Sequence, residues 1–212
     1  MIVPRETYFE FKGVQSVIEN QTLAFDQIEE NETYQNCHFT FSNRPIRLMD
    51  VTLSGCTFDQ QDFSTGEFVD CQWINCELAN TNFANCVFYD NRFTTCLLTG
   101  VDFSNNDWKQ VVVEACKTDY FNVSGSRLTN CQFNHSHMIA SYFQEVTVKK
   151  GLVFDHSEID QTDFTGTAMT GINLADSQFS DLMVTPALLR GCKINAYQAA
   201  LFVALIGMEV VD

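Results

Sequence analysis

Large apolar side chains recur at every fifth position from Leu48. Leu53, Phe58, Phe63, Phe68, Trp73, Leu78, Phe83, Phe88, Phe93, Leu98, Phe103, Trp108 and Val113 follow in unbroken phase. A period of five fits neither the 3.6-residue face of an α-helix nor the two-residue alternation of a strand. The chain must therefore turn by the same amount at each step, so that every fifth side chain meets one shared axis. The residue two before each centre is small or moderately apolar (Cys, Ser, Thr or Val), and the other three are mostly polar. Four such units close a square of twenty residues, and successive coils stack as parallel strands at ~4.8 Å. The pattern predicts an all-β solenoid with four sides, a quadrilateral parallel β-helix.

Breaks in the phase locate disturbances. Phe39 lies nine residues before Leu48 rather than ten, which puts a slip within residues 40–47, around Pro45. Thr118 is a polar centre and Phe121 a bulky residue in a small-residue slot, so residues 117–121 are expected to bulge or kink. Val123, Leu128, Phe133, Met138, Phe143 and Val148 resume the old phase. After Lys149-Lys150-Gly151 the centres move by one to Phe154, Ile159, Phe164, Met169, Leu174 and Phe179, which an extra residue near Gly151 explains. Residues 180–186 read as irregular before Leu189 and Ile194 complete the series. Residues 1–33 match only weakly, through Ile18, Leu23 and Ile28, and read as an N-terminal cap or irregular first coil. Residues 34–194 are then the solenoid.

Residues 195–212 change period. Asn195 suits a helix N-cap, and residues 196–206 read as a helix ended by Gly207. The side chains are apolar nearly all round, which a solvent-facing helix cannot sustain. Part of the helix is expected to cover the open end of the coil. The rest is expected to meet a second copy in a twofold homodimer, through Tyr197, Leu201, Phe202, Leu205, Ile206 and Val210.

Composition narrows the function. Among 212 residues, 27 acids face 12 bases, for a net charge of -15. Such a surface keeps an apolar-cored rod soluble and suits a basic partner. No basic stripe stands out in the sequence to meet phosphates, which disfavours direct nucleic-acid binding. No apolar run is long enough to span a bilayer, and the N-terminus lacks the basic start and apolar run of a signal peptide, so the expected location is the cytoplasm. All nine cysteines sit two residues before a repeat centre, the small buried slot, which makes them packing residues rather than disulfides or metal ligands.

Catalytic patterns are absent: there is no phosphate-binding Gly-rich loop, no nucleophile elbow and no H-E-x-x-H. His135 and His137 form an i, i+2 pair too sparse for a metal site, and with His38 and His156 they read as surface residues. No cofactor or metal is implied, and an enzyme is not expected. The acids are more informative. Residues twenty apart lie above one another, so Asp50, Asp70 and Asp90 form a column continued by Gln110 and Asn130, while Asp62, Asn82, Asp102 and Asn122 form another. Two carboxylates at ~5 Å in an effective dielectric of ~20 repel by about 3 kcal/mol before screening. Asn relieves this in the second column but not in the first. Asp50, Asp70 and Asp90 are therefore the favoured partner surface, with Asp62 and Asp102 beside them. About seven coils from Leu48 to Ile194 give a rod of roughly 35 Å, and B-DNA of that length carries about 20 charges. The rod approaches DNA in charge density.

Thr81-Asn-Phe83, Val101-Asp-Phe103 and Thr162-Asp-Phe164 resemble the A-(D/N)-L-x-x unit of pentapeptide repeat proteins. That resemblance implies a right-handed quadrilateral β-helix. Leu189-x-Gly191-x-Lys193-Ile194-x-x-x-Gln198-Ala199, with Leu201, Leu205 and Gly207, resembles the C-terminal segment of Qnr-type, topoisomerase-protecting members of that family. Cys116-Lys-Thr-Asp-Tyr120 and residues 143–150 resemble their chromosomal Gram-positive branch. The resemblance implies a non-enzymatic, DNA-mimicking dimer that binds DNA gyrase, and topoisomerase IV by extension, and relieves quinolone inhibition or a gyrase-directed toxin. The alternative is a generic pentapeptide-repeat scaffold with another partner. Related proteins carry projecting loops that matter for protection; here only residues 40–47 and 117–121 stand in their place.

Overall fold

The computed structural model describes residues 16–205 and 207–209. The chain forms a parallel β-solenoid of about eight turns. The twenty-residue register is explicit: Leu48, Phe68, Phe88, Trp108 and Leu128 lie above one another on one side, called face 1. Leu53, Trp73, Phe93, Val113 and Phe133 do so on face 2. These two faces are built of three-residue strands. They merge into one 13-stranded sheet where the longer strands Arg127–Asn134 and Thr147–Asp155 run round the shared corner. Faces 3 and 4 are mostly tight turns tied by single bridges, Glu77 to Leu97 to Lys117 to His137 on face 3 and Asp62 to Asn82 to Asp102 to Asn122 on face 4.

The core is a stack of rings. Phe63, Phe83 and Phe103 lie nearly parallel at 4.8 and 5.0 Å between centroids, and Phe68 lies 4.7 Å from Phe88. Rings from adjoining faces meet edge to face, as Phe68 does with Phe83 at 5.5 Å, so the core combines stacked and T-shaped contacts. Each fully buried Phe contributes on the order of 2 to 3 kcal/mol of apolar burial. Eight cysteines are buried in the small slot beside these rings, and Cys192 is half-buried. Burial pushes the thiols of Cys56 and Cys131 up to about 11 and those of Cys71 and Cys86 up to about 12. Those thiols are packing groups, not nucleophiles.

Most corners take a left-handed backbone. Asp50, Asp70 and Asp90 have φ of 52°, 52° and 53°, and Asn75, Asn80 and Asn85 turn other corners with φ of 50°, 59° and 59°. Asn and Asp tolerate this region better than other non-glycine residues, because their short polar groups satisfy the local backbone. The acidic column read from the sequence therefore has a conformational cause.

The expected kink at residues 117–121 does not form. The bridges from Leu97 to Lys117 and on to His137 keep their spacing of twenty. Thr118 is buried and donates its hydroxyl to the His137 carbonyl at 2.9 Å. The volume that Thr118 leaves is filled by Phe121, whose ring lies 5.1 Å from Phe103 and 5.7 Å from Phe133. A small centre and a large neighbour exchange roles without disturbing the backbone. The other breaks appear where the phase puts them. Phe39 pairs with Phe58, nineteen residues on, because residues 40–47 cross to face 1 one residue short. Opposite Leu128 and Thr129 stand Val148 and Lys150, so Lys149 is the extra residue. The first coil is shorter still, with Val17 opposite Thr33. Phe25, which the five-residue pattern does not select, fills its interior 5.1 Å from Phe63. Within residues 180–186, Leu182–Val184 remains a regular strand on Thr162–Phe164.

The helix Ala196–Leu205 closes the other end. Asn195 Oδ1 accepts from the Gln198 N–H, and Gln198 Oε1 accepts from the Asn195 N–H, each at 3.0 Å, a reciprocal capping box. The Gln198 Nε2 amide, buried, donates to the Leu174 and Ser177 carbonyls of the last coil at 2.7 and 3.0 Å. One side chain thus starts the helix and satisfies the open end of the solenoid. Gly207, at φ 80°, ends the helix, its N–H reaching the Ala204 carbonyl while the Met208 N–H reaches Val203. This is the Schellman pattern.

Candidate partner-binding surface

The register assigns the charges to sides of the rod. Among the described residues of the regular coils, face 3 carries Asp59, Glu77, Asp119, Glu158, Asp160 and Asp181 against a single Lys or Arg, Lys117. Face 4 carries Asp62, Asp102 and Asp163, with Glu145 at its corner, and no cation among its described residues in the regular coils. Face 1 is different. Arg47, Lys109, Arg127, Lys149, Lys150 and Arg190 stand there with Asp50, Glu67, Asp70, Asp90 and Asp107. Arg47 pairs with Glu67 at 3.3 Å and Arg127 with Asp107 at 3.4 Å. The Asp50–Asp70–Asp90 column therefore runs along the edge of an electrically mixed face, while faces 3 and 4 hold acids with few lysines or arginines beside them.

The two columns differ as their composition suggests. Asp62 Oδ1 accepts from the Ser64 N–H and from Asn82 Nδ2, each at 3.0 Å, and the Ser64 N–H holds its carboxyl below the usual range. Asp102 Oδ1 accepts from Ser104 N–H at 2.9 Å and from Asn122 Nδ2 at 3.0 Å. Asp62 and Asp102 are thus rungs of a structural ladder. Asp90 is held above the usual carboxylate range, chiefly by desolvation and then by the charge of Asp70, although Gln110 Nε2 donates to it.

The sequence family described as the pentapeptide repeat region matches residues 46–123 and, in an overlapping second match, 66–143. No curated protein matches the chain in sequence. Among solved structures, the chain is similar to full-length QnrB1, a plasmid-mediated fluoroquinolone resistance protein. Identity there is 18%, covering 91% of this chain and 100% of that one, with a TM-score of 0.41. It is also similar to HetL, a pentapeptide repeat protein involved in heterocyst differentiation regulation from Nostoc sp. strain PCC 7120, at 9% identity, 84% coverage of each chain and a TM-score of 0.35.

The coil geometry also revises the histidines. His135 turns a left-handed corner at φ 49°, while His137 lies beyond it on face 3, so the two do not share a side. Each histidine faces a carboxylate, which the sequence reading did not anticipate. His38 Nε2 lies 3.1 Å from Asp59, His135 Nδ1 3.5 Å from Glu114, and His156 Nδ1 2.7 Å from Asp155. His137 bridges Asp119 at 2.6 Å and Glu158 at 3.1 Å. Among the described residues no group of three or more His, Cys, Asp or Glu could hold a metal ion. Likewise no helix among them is long and apolar enough to cross a membrane.

At the C-terminal helix, Tyr197 is 92% exposed, whereas Phe202 is buried, its ring 6.1 Å from Phe179. Phe202 thus belongs to the closure of the coil within one protomer. Leu201 is half-buried over an apolar hollow that it lines with Phe179, Leu182 and Ala204. Ile206, Val210 and the Leu205 side chain lie outside the described residues.

Proposed function

We propose that this chain is a non-enzymatic, Qnr-like pentapeptide repeat protein of the cytoplasm. In this reading its acidic side binds DNA gyrase, and topoisomerase IV in the same manner, in place of DNA. It thereby protects the enzyme from quinolones or a gyrase-directed toxin. The supporting observation is the segregation of charge: among the described residues of the regular coils, faces 3 and 4 join ten carboxylates to one lysine along adjoining sides of the solenoid. About eight coils at ~4.8 Å make that acidic surface roughly 40 Å long, a length over which duplex DNA presents about 24 charges. A positively charged saddle shaped for DNA would meet a similar field. The rod would extend twofold through Tyr197 and Leu201 of the C-terminal helix, giving a homodimer with acidic sides on both arms. A generic scaffold for another basic partner is the competing reading, and reproducible capture of a non-topoisomerase partner would favour it.

Supercoiling by purified gyrase, with and without ciprofloxacin, tests the reading as the protein is titrated. Rescue of the drug-treated enzyme at low dose, and inhibition of the free enzyme at high dose, are expected. Neither effect at any dose would contradict it.

A further inference from the structure

We propose that the C-terminal half of face 1 binds the phosphate backbone of duplex DNA, a contact separate from the acidic side and independent of gyrase. The sequence shows no basic stripe, because its cations are scattered by twenties. The fold gathers them. Lys109, Thr129 and Lys150 lie in one column, and Arg190 continues it beyond Thr170, whose hydroxyl donates to the Arg190 carbonyl at 2.8 Å. Arg127 and Thr147 stand in the neighbouring column. Among the described residues of this face no carboxylate follows Asp107, which Arg127 pairs; Glu145 stands at the corner with face 4. Alternating cations and threonine hydroxyls are the side chains that hold phosphates without reading bases.

Lys149 adds a further cation. It is the residue inserted at the register break between Val148 and Lys150, and both lysines are exposed. An inserted residue is left out of the ladder pairing and free to face outward. The one residue inserted into the regular coils thus puts a second lysine on the basic patch. Cations in the Lys109 column recur every second coil, about 10 Å apart, on a flat and rigid side. Face 1 has no exposed aromatic ring there for stacking single-stranded bases and no exposed large apolar residue there for entering a membrane. Duplex DNA is therefore the polyanion that fits.

The net charge does not forbid this. The acidic face 3 lies across the coil, roughly 15 Å away for a five-residue side, beyond the screening length of ~10 Å at 0.1 M salt. Face 4 adjoins face 1, and of its acids Glu145 stands at the shared corner.

Fluorescence anisotropy with a labelled mixed-sequence duplex tests the patch. Affinity should fall about a hundredfold or more between roughly 50 and 200 mM salt, with a log–log slope near -4 for about five cations. Lys149→Gln with Lys150→Gln should weaken binding about tenfold at low salt and reduce that slope by about two. Glu77→Gln with Glu158→Gln on face 3 should not reduce affinity. Unchanged melting temperatures would show that the variants fold. No binding at low salt, or a lysine variant with wild-type affinity and slope, would overturn the proposal. So would sedimentation showing that the lysine changes abolish self-association while duplex binding is untouched, since a second copy would then be the occupant.

Discussion

Thr118 and Phe121 show what a single position can and cannot reveal. Each breaks the repeat by itself, and the sequence offers no sign that the two errors cancel, because their contact is made across a corner inside the coil. Phe121→Ser, which restores the repeat's small residue, should cost about 3 kcal/mol or more by opening a cavity between Phe103 and Phe133. Adding Thr118→Leu should recover most of that loss, and a double-mutant cycle by urea denaturation would measure the coupling. Asp90 gives a second residue-scale test. Its raised carboxyl pKa means that the charged form is less favourable in the folded chain than in the unfolded one. The resulting penalty is absent below the unfolded pKa and sets in as pH rises through the folded value. Asp90→Asn should therefore raise the melting temperature at neutral pH, with the gain vanishing in acid. Asp62 has the opposite sign: its lowered pKa contributes stability that is lost as pH falls through the folded value. The cysteines, by contrast, are legible from sequence alone, because a slot that recurs every five residues averages out local accidents.

At the scale of elements, periodicity carries the coils but not their ends. The phase locates Lys149 to within two residues, since an insertion moves every later centre by one. Deleting Lys149 should restore the twenty-residue register and leave a folded solenoid with an unchanged or higher melting temperature, which circular dichroism would follow. The first coil is less legible, because Val17 pairs only sixteen residues ahead and Phe25 fills its interior from outside the repeat. Asn195 is readable as a cap from local chemistry. The second role of Gln198 is not, since Leu174 and Ser177 are brought beneath it only by the preceding coil. Gln198→Ala removes half of a capping box and leaves two carbonyls unpaired, at a cost of about 2 to 3 kcal/mol. Hydrogen exchange should report this as faster opening of the helix Ala196–Leu205, with the central coils unaffected.

For the whole molecule, the net charge of -15 is visible in the composition, but its distribution is not. Twenty-residue columns can be drawn from sequence, and they single out Asp50, Asp70 and Asp90 for their unrelieved repulsion. Assigning all charges to sides requires the register of every coil, and it moves the acidic surface to faces 3 and 4. The most direct measurement is the affinity of purified gyrase for two variants that lose equal charge from opposite sides. Replacing Glu77, Glu158 and Asp160 on face 3 by their amides should weaken binding about tenfold or more, with a shallower salt dependence. Changing Asp50, Asp70 and Asp90 to Asn should leave affinity within about twofold, because the column edges a face whose cations and carboxylates give it a mixed field. Equal losses in both variants, or a loss confined to the second, would contradict the two-sided account.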